Sequence, residues 1–247
     1  MPYCDFAYVY DSLMTNAEYD KRCSYILKLF NKFGQKPKLL LDLACGTGAF
    51  ANRMAKKGIE VIGADMSEEM LSVARENSFD MGVDVLYLCQ RAEELDLYGT
   101  VDSCICCMDS INHITDENIL LEVFKRVSLF LEKDGLFIFD VNTPFKHEYI
   151  LGDNTFSFEE DGIFCVWKNS FDKKKYITDI SLDFFVKQEE KYVRLSENFC
   201  ERAYKTEKLC ELLAKCGFSV ENIFDDLSEN EPTEKSERIY FVVRKTA

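Results

Sequence analysis

The residues of this chain whose types and spacing could do chemistry lie in one short span: Asp42, Gly46, Gly48 and, seventeen positions after Gly48, Asp65. The two glycines follow an apolar run, residues 39–43, and precede the helix-compatible stretch 49–55. Glycines at a strand-to-helix turn let backbone come close to a ligand, because no Cβ stands in the way. Asp65 closes a second apolar run, and a carboxylate at the tip of the neighbouring strand can accept both hydroxyls of a ribose. The four residues together describe a nucleoside-binding crevice. Asp42 bears on which nucleoside. One turn of chain before the glycines, it would repel a pyrophosphate and attract a cation such as an α-amino group or a sulfonium. Gly46-x-Gly48-x-x-Ala51 also fits a dinucleotide fingerprint, so an NAD-dependent oxidoreductase remains an alternative.

Those residues need a scaffold. From Lys38 onward, apolar runs alternate with helical patterns. Strands are expected at 39–44, 59–65, 83–89, 101–108 and 136–141. Helices are expected at 49–57 and 67–77, with another capped by Thr115 or Asp116 and stopped by Gly135. This alternation predicts an α/β fold with a doubly wound parallel sheet. After Pro144 the texture changes. Four runs rich in aromatic and β-branched residues, at 155–158, 163–171, 176–186 and 192–203, read as an antiparallel meander. A helix at 206–215 and strands at 218–224 and 238–244 then resume the α/β pattern. An amphipathic helix at 16–33 leads the chain, after an aromatic segment carrying Tyr8 and Tyr10.

The run Leu41-Asp42-Leu43-Ala44-Cys45-Gly46-Thr47-Gly48 resembles the signature of class I S-adenosylmethionine-dependent methyltransferases, of the small-molecule type with a β-sheet insertion after strand five. The resemblance spans residues 5–245, with its specific motifs confined to 39–142. It implies S-adenosyl-L-methionine as cofactor and a Rossmann-like, seven-stranded, mostly parallel sheet whose last two strands pair antiparallel at one edge. Three units follow: a lid and helix at 1–36, a cofactor-binding domain at 37–147 and 204–247, and an insertion at 148–203 over the acceptor. In that family the glycine turn, here Ala44, Gly46 and Gly48, contacts the methionine part of the cofactor, and the acid after strand two, here Asp65, holds the ribose. The leading segment folds over the cofactor, which makes Tyr10 and Tyr19 its candidate aromatics; both also suit a core.

In an open α/β sheet, ligands sit beyond the carboxyl ends of the strands. That rule adds, as cofactor contacts, Met66 after strand two, Gln90, Arg91 and Ala92 after strand three, and Asp109 and Ser110 after strand four; Asn112, Asn142 and His147 point towards an acceptor. Many relatives carry an acid after strand three; Arg91 stands there here, with Glu93 two positions on. Both histidines of the chain fall at this mouth. His113, in the segment that in relatives lies near the transferred methyl, is the candidate general base, with packing or helix capping as its other reading. Methyl transfer needs little acid–base help, because in-line geometry supplies much of the rate. A nitrogen acceptor suits a lone weak base best.

Composition narrows the classes. With 247 residues, 47% of them hydrophobic, the chain can bury a sizeable core, and its formal charge of −14 argues against nucleic-acid and anionic-membrane partners. The N-terminus lacks a signal-peptide pattern, and no apolar run reaches membrane-spanning length. Eleven scattered cysteines fit free thiols in a reducing cytoplasm. Cys104-x-x-Cys107 lies on a strand that points its two side chains to opposite faces, and a second pair is absent, so no metal site is expected. The expected activity is transfer of a methyl group from S-adenosylmethionine to a small molecule, with S-adenosylhomocysteine as product. A non-catalytic cofactor-binding protein and a methyltransferase acting on RNA or protein are the remaining alternatives.

Overall fold

A computed structural model describes residues 17–160 and 162–246. Two sheets organise them. The larger has seven strands: β1 (Leu39–Leu43), β2 (Glu60–Asp65), β3 (Leu86–Cys89), β4 (Val101–Cys106), β5 (Leu131–Asn142), β10 (Phe218–Asp225) and β11 (Arg238–Lys245). Their order is β10-β11-β5-β4-β1-β2-β3. β11 runs antiparallel to both β5 and β10, while β1 to β5 are mutually parallel. The chain builds outward from β1 through β2 to β3, then returns to place β4 on the other side of β1. That reversal opens a crevice at the carboxyl ends of β1 and β4, where ligands bind in such sheets.

Burial on both faces explains the near-continuous apolar strands. Along β5, Phe137, Phe139 and Val141 join one core, and Leu136 and Ile138 join the other. Phe139 stacks on its register partner Phe241 with ring centroids 4.8 Å apart. Cys104 and Cys107 of the Cys-x-x-Cys pair belong to opposite cores. Helix α1 (Tyr19–Lys32) buries Cys23, Ile26, Leu29 and Phe30, and Arg22 ties it to Asp226 and to the Tyr240 hydroxyl. Helices α2 (Ala49–Lys56), α3 (Glu68–Met81), α4 (Glu117–Phe130) and α5 (Thr206–Lys215) complete the unit.

The second sheet is an antiparallel meander, β6 (Thr155–Glu160), β7 (Ile163–Asp172), β8 (Ile177–Gln188) and β9 (Lys191–Arg202). One face gathers Ile163, Cys165, Ile180, Leu182 and Phe184 around Met70 of α3. The insertion is thereby packed onto the helix that follows the crevice.

Three local expectations change. Helix α4 stops at Phe130, not at Gly135, and β5 begins at Leu131. A Cβ on Gly135 would stand 2.7 Å from the Asp102 carbonyl and 2.9 Å from that of Glu132, so this glycine serves close backbone approach and not helix termination. Strand β3 is shorter than the apolar run suggested. A π-helical turn, Lys146–Leu151, carries His147 in a stretch to which the sequence pattern assigned no element.

Candidate active site

A cavity of about 640 Å³ opens at the carboxyl ends of β1 and β4. The chain leaves both strands through left-handed backbone: Ala44 (φ 57°) and Gly46 (φ 53°) after β1, Met108 (φ 58°) and Asp109 (φ 53°) after β4. Non-glycine residues hold this conformation only where their surroundings enforce it. After β4 the enforcing group is Asp140, a buried carboxylate in β5 that accepts the Met108 N–H at 2.8 Å and the Asp109 N–H at 3.0 Å. After β1 it is Asp65, which accepts the Gly46 N–H at 2.8 Å and the Ser67 N–H at 2.9 Å.

The two glycines of the turn differ. A Cβ on Gly46 would meet nothing within 4 Å, and Gly46 faces the cavity. A Cβ on Gly48 would fall 2.3 Å from the Tyr87 hydroxyl, and Gly48 is absent from the cavity wall. Gly48 instead permits the close packing of α2 on α3 and β3, where Tyr87, Asn52 and Ser78 share hydrogen bonds.

Asp42 lies at the bottom of the cavity, 2% exposed. Its Oδ2 has no hydrogen-bond partner among the described residues. Burial pushes its carboxyl up to about 8, opposed by a backbone N–H at Ala51 and reinforced by Asp65. A buried, unpartnered carboxylate oxygen is costly unless a cation or donor arrives to meet it. The crevice therefore fits a ligand that brings positive charge to Asp42 and hydroxyls to Asp65. It fits S-adenosylmethionine, whose α-amino group and sulfonium are cations. Met66, 41% exposed just after β2, offers an apolar surface to the cavity.

Around the rest of this end, Ala44, Gln90, Arg91 and Ala92 line the cavity with Tyr19. Gln90 spends its side chain on the backbone of Asp96, accepting at 2.9 Å and donating at 3.1 Å. Arg91 donates to Glu93 at 2.7 Å, and Glu93 joins the wall, so a carboxylate stands near the end of β3 after all. Tyr19 packs edge-on against Phe50 with centroids 5.5 Å apart. Tyr10 lies outside the described residues.

The opposite end is built by a buried charge network. Arg238 of β11 pairs with Asp140 and, at 2.6 Å, with Asp109. Asn142 donates to the other Asp109 oxygen at 2.9 Å and accepts from Lys146 at 3.0 Å. Burial alone would raise the Asp109 carboxyl, but Arg238, Lys146 and His113 bring it down to about 2. His113, at the end of the 3₁₀ turn Ser110–His113, lies over Phe199 with centroids 5.0 Å apart. Burial lowers its pKa despite Asp109, which keeps the imidazole neutral and able to accept a proton.

Two acceptor-side expectations move. Asn112 is fully buried and absent from the wall. Its amide donates to the carbonyls of Asn142 (3.0 Å) and Arg202 (2.8 Å), and its Oδ1 accepts the Asn142 N–H (2.9 Å). It staples β5 to β9. His147 is also fully buried, with Nδ1 2.7 Å from the Thr178 hydroxyl, and stands behind the wall. Ser110 and Asn142 do line the cavity.

Four residues of this end escape sequence reasoning: Asp140, Lys146, Glu201 and Arg238. Asp140 left a signal, a lone carboxylate inside the apolar run 136–141. Glu201 left a weaker one. In strand β9 it alternates with Phe199, and both reach the cavity from the second sheet.

Known proteins match this chain in sequence and fold. A family model described as "Methyltransferase domain" matches residues 40–135. The chain is 36% identical to the "Putative methyltransferase YqeM" of Bacillus subtilis (strain 168), over 100% of this chain and 98% of that protein. A crystal structure of an S-adenosylmethionine-dependent methyltransferase from Clostridium acetobutylicum superimposes with a TM-score of 0.90 at 32% identity, covering 99% of each chain. The fold is also shared with S-adenosylmethionine-bound CalS10, an amino pentose methyltransferase from Micromonospora echinaspora (TM-score 0.77, 17% identity, 96% of this chain and 97% of that one).

Proposed function

This chain belongs to the S-adenosylmethionine-dependent methyltransferases, and from that premise we propose that it methylates a small molecule held between its two sheets. The observation that carries this reading is the wall of the cavity. Beyond the cofactor end it is closed by Leu151, Trp167, Leu182 and Phe199, of which the last three come from the second sheet. Apolar walls with a few convergent polar groups suit a small ligand. The insertion, residues 148–203, is then the cover of the acceptor.

The roles follow from position. Asp42 balances the cationic end of the cofactor, the Gly46 turn gives its methionine part room, and Asp65 holds its ribose. Met66, Gln90, Arg91, Ala92 and Glu93 flank the adenine, and Tyr19 closes the near side. When bound, S-adenosylmethionine supplies an activated methyl group on sulfur. The protein's own part is to hold the acceptor in line with that methyl and to exclude water, which accounts for much of the rate in such reactions. His113, Asn142 and Lys146 are among the polar groups at the acceptor end. No helix among the described residues is long and apolar enough to cross a membrane. The ten cysteines among the described residues are unbonded, which supports a reducing cytoplasm as the working compartment.

The test combines titration with S-adenosylhomocysteine and turnover of methyl-labelled S-adenosylmethionine with a cell extract. The expected result is saturable S-adenosylhomocysteine binding, no NAD binding, and label recovered among small molecules. Label in RNA or protein would overturn the small-molecule reading.

A further inference from the structure

Among the described residues, Glu201 is the one charged side chain that the second sheet contributes to the cavity wall. It is 5% exposed, lines the cavity, and its Oε2 has no hydrogen-bond partner among the described residues. Its Oε1 lies 3.6 Å from His113 Nε2, and its Oε2 lies 3.7 Å from His147 Nε2. His147 Nε2 is likewise buried and unpartnered among the described residues. Both gaps exceed hydrogen-bond length; the first borders the cavity, where a single nitrogen about 2.9 Å from each of its two atoms spans it, and the second lies behind the wall. We propose that Glu201 recognises an ammonium group on the methyl acceptor, so that the acceptor is an amine; this rests on the methyltransferase reading of the same cavity.

A metal ion is the competing occupant. Asp109, His113 and Glu201 each bring a ligand atom within 4.8 Å of the others. Both Asp109 oxygens, however, already accept donors, from Arg238 at 2.6 Å and from Asn142 at 2.9 Å. That leaves one imidazole and one carboxylate, fewer than the three protein ligands of a catalytic metal, with a guanidinium alongside.

Burial, with Asp109 nearby, raises the Glu201 carboxyl to about 8, while Lys146, Arg238 and Asn142 oppose the rise. A carboxylate of that basicity can both bind an ammonium and take its proton. The step then balances. The ammonium gives one proton to Glu201. The freed nitrogen lone pair forms the bond to the methyl carbon as the carbon–sulfur bond breaks, with its electron pair staying on sulfur. The product nitrogen carries the positive charge that the sulfonium had.

The test offers methyl-labelled S-adenosylmethionine with a panel of aliphatic, cyclic and aromatic primary amines, each paired with its alcohol and its carboxylic acid counterpart. Wild type, Glu201→Gln and Glu201→Ala are compared, with and without EDTA. The expected result is label on nitrogen, unaffected by EDTA. In Glu201→Gln, kcat/KM falls about 100-fold, with S-adenosylhomocysteine affinity within about twofold of wild type. Titration of the S-adenosylhomocysteine-loaded protein with the best amine gives a second readout, binding that Glu201→Gln loses. Several outcomes overturn the proposal: label only on alcohols or acids, no amine labelled by a protein that binds S-adenosylhomocysteine, wild-type turnover in Glu201→Gln, or transfer that EDTA abolishes and Mn²⁺ restores. Failure to bind S-adenosylhomocysteine at all would instead defeat the methyltransferase reading on which this one rests.

Discussion

Asp65 Oδ2 accepts the Gly46 N–H at 2.8 Å, so the acid of the second strand and the glycine turn of the first are one unit. The side chain that would hold the ribose also sets the backbone that faces the rest of the cofactor. Asp65→Ala should therefore act twice. S-adenosylhomocysteine binding should weaken by about 1–3 kcal/mol through lost charge-assisted hydrogen bonds, and the melting temperature should fall as the Gly46 and Ser67 N–H groups lose their acceptor. Titration calorimetry and thermal melts on the same preparations measure both. An unchanged dissociation constant would remove Asp65 from the site.

Asp42 gives a pH signature. Its carboxyl titrates near 8 in the folded protein against an ordinary value of 3.8. The folded state thus binds more protons than the unfolded state between those values, and its stability falls as pH rises across that window. A cation placed against Asp42 favours the charged form, so S-adenosylhomocysteine binding should release protons and tighten as pH rises from about 6 to 8. Asp42→Asn should flatten the stability slope, leave the fold intact and weaken S-adenosylhomocysteine binding. Calorimetry in buffers of different ionisation enthalpy counts the protons. Improved NAD affinity with no loss for S-adenosylhomocysteine would overturn the assignment of this end of the cavity.

Asn112 separates a staple from a contact. All three of its side-chain hydrogen bonds go to backbone of β5 and β9. Asn112→Ala leaves buried backbone groups without partners and should destabilise the protein by about 2–4 kcal/mol, with S-adenosylhomocysteine affinity per folded molecule unchanged. Denaturant melts read the first quantity and titration reads the second. A stable variant that loses only acceptor turnover would put Asn112 back at the acceptor.

The cavity end formed by β1 and β2 was legible from sequence because its signals are local. A strand, a glycine turn, a second strand and a terminal acid follow within 27 positions of Leu39, and their partners are set by sheet register, Asp42 opposite Gly63 and Leu43 opposite Ala64. The acceptor end resists the same reading because its groups converge from distant strands. Arg238 meets Asp109 across 129 positions, and Glu201 reaches His113 from the other sheet. Spacing carries no record of such meetings. Asn112 shows the complementary failure: a polar residue just past a strand end is where a ligand contact is expected, yet its amide points inward because two strands need a link there. Gly48 belongs to the same class, its missing Cβ serving Tyr87 and not a ligand.

His113 is where positioning and proton transfer can be told apart. Its imidazole lies in the cavity wall, tilted 32° over Phe199 and 3.6 Å from Glu201. Burial keeps it neutral near pH 7, so it can accept a proton there. As the sole base its loss would lower turnover by about 10²–10⁴-fold with cofactor affinity unchanged. As a packing residue its loss would lower stability and leave turnover per folded molecule at the wild-type level. With Glu201 facing the same space, the expected outcome is a drop of about tenfold in both His113→Gln and His113→Ala, because the imidazole orients the acceptor while proximity to the methyl does most of the work. Single-turnover transfer, corrected for the folded fraction from thermal melts, reads the effect. A fall of 10³-fold or more in His113→Gln would make His113 the base and reduce Glu201 to charge recognition, whereas wild-type rates in both variants would remove His113 from the acceptor site.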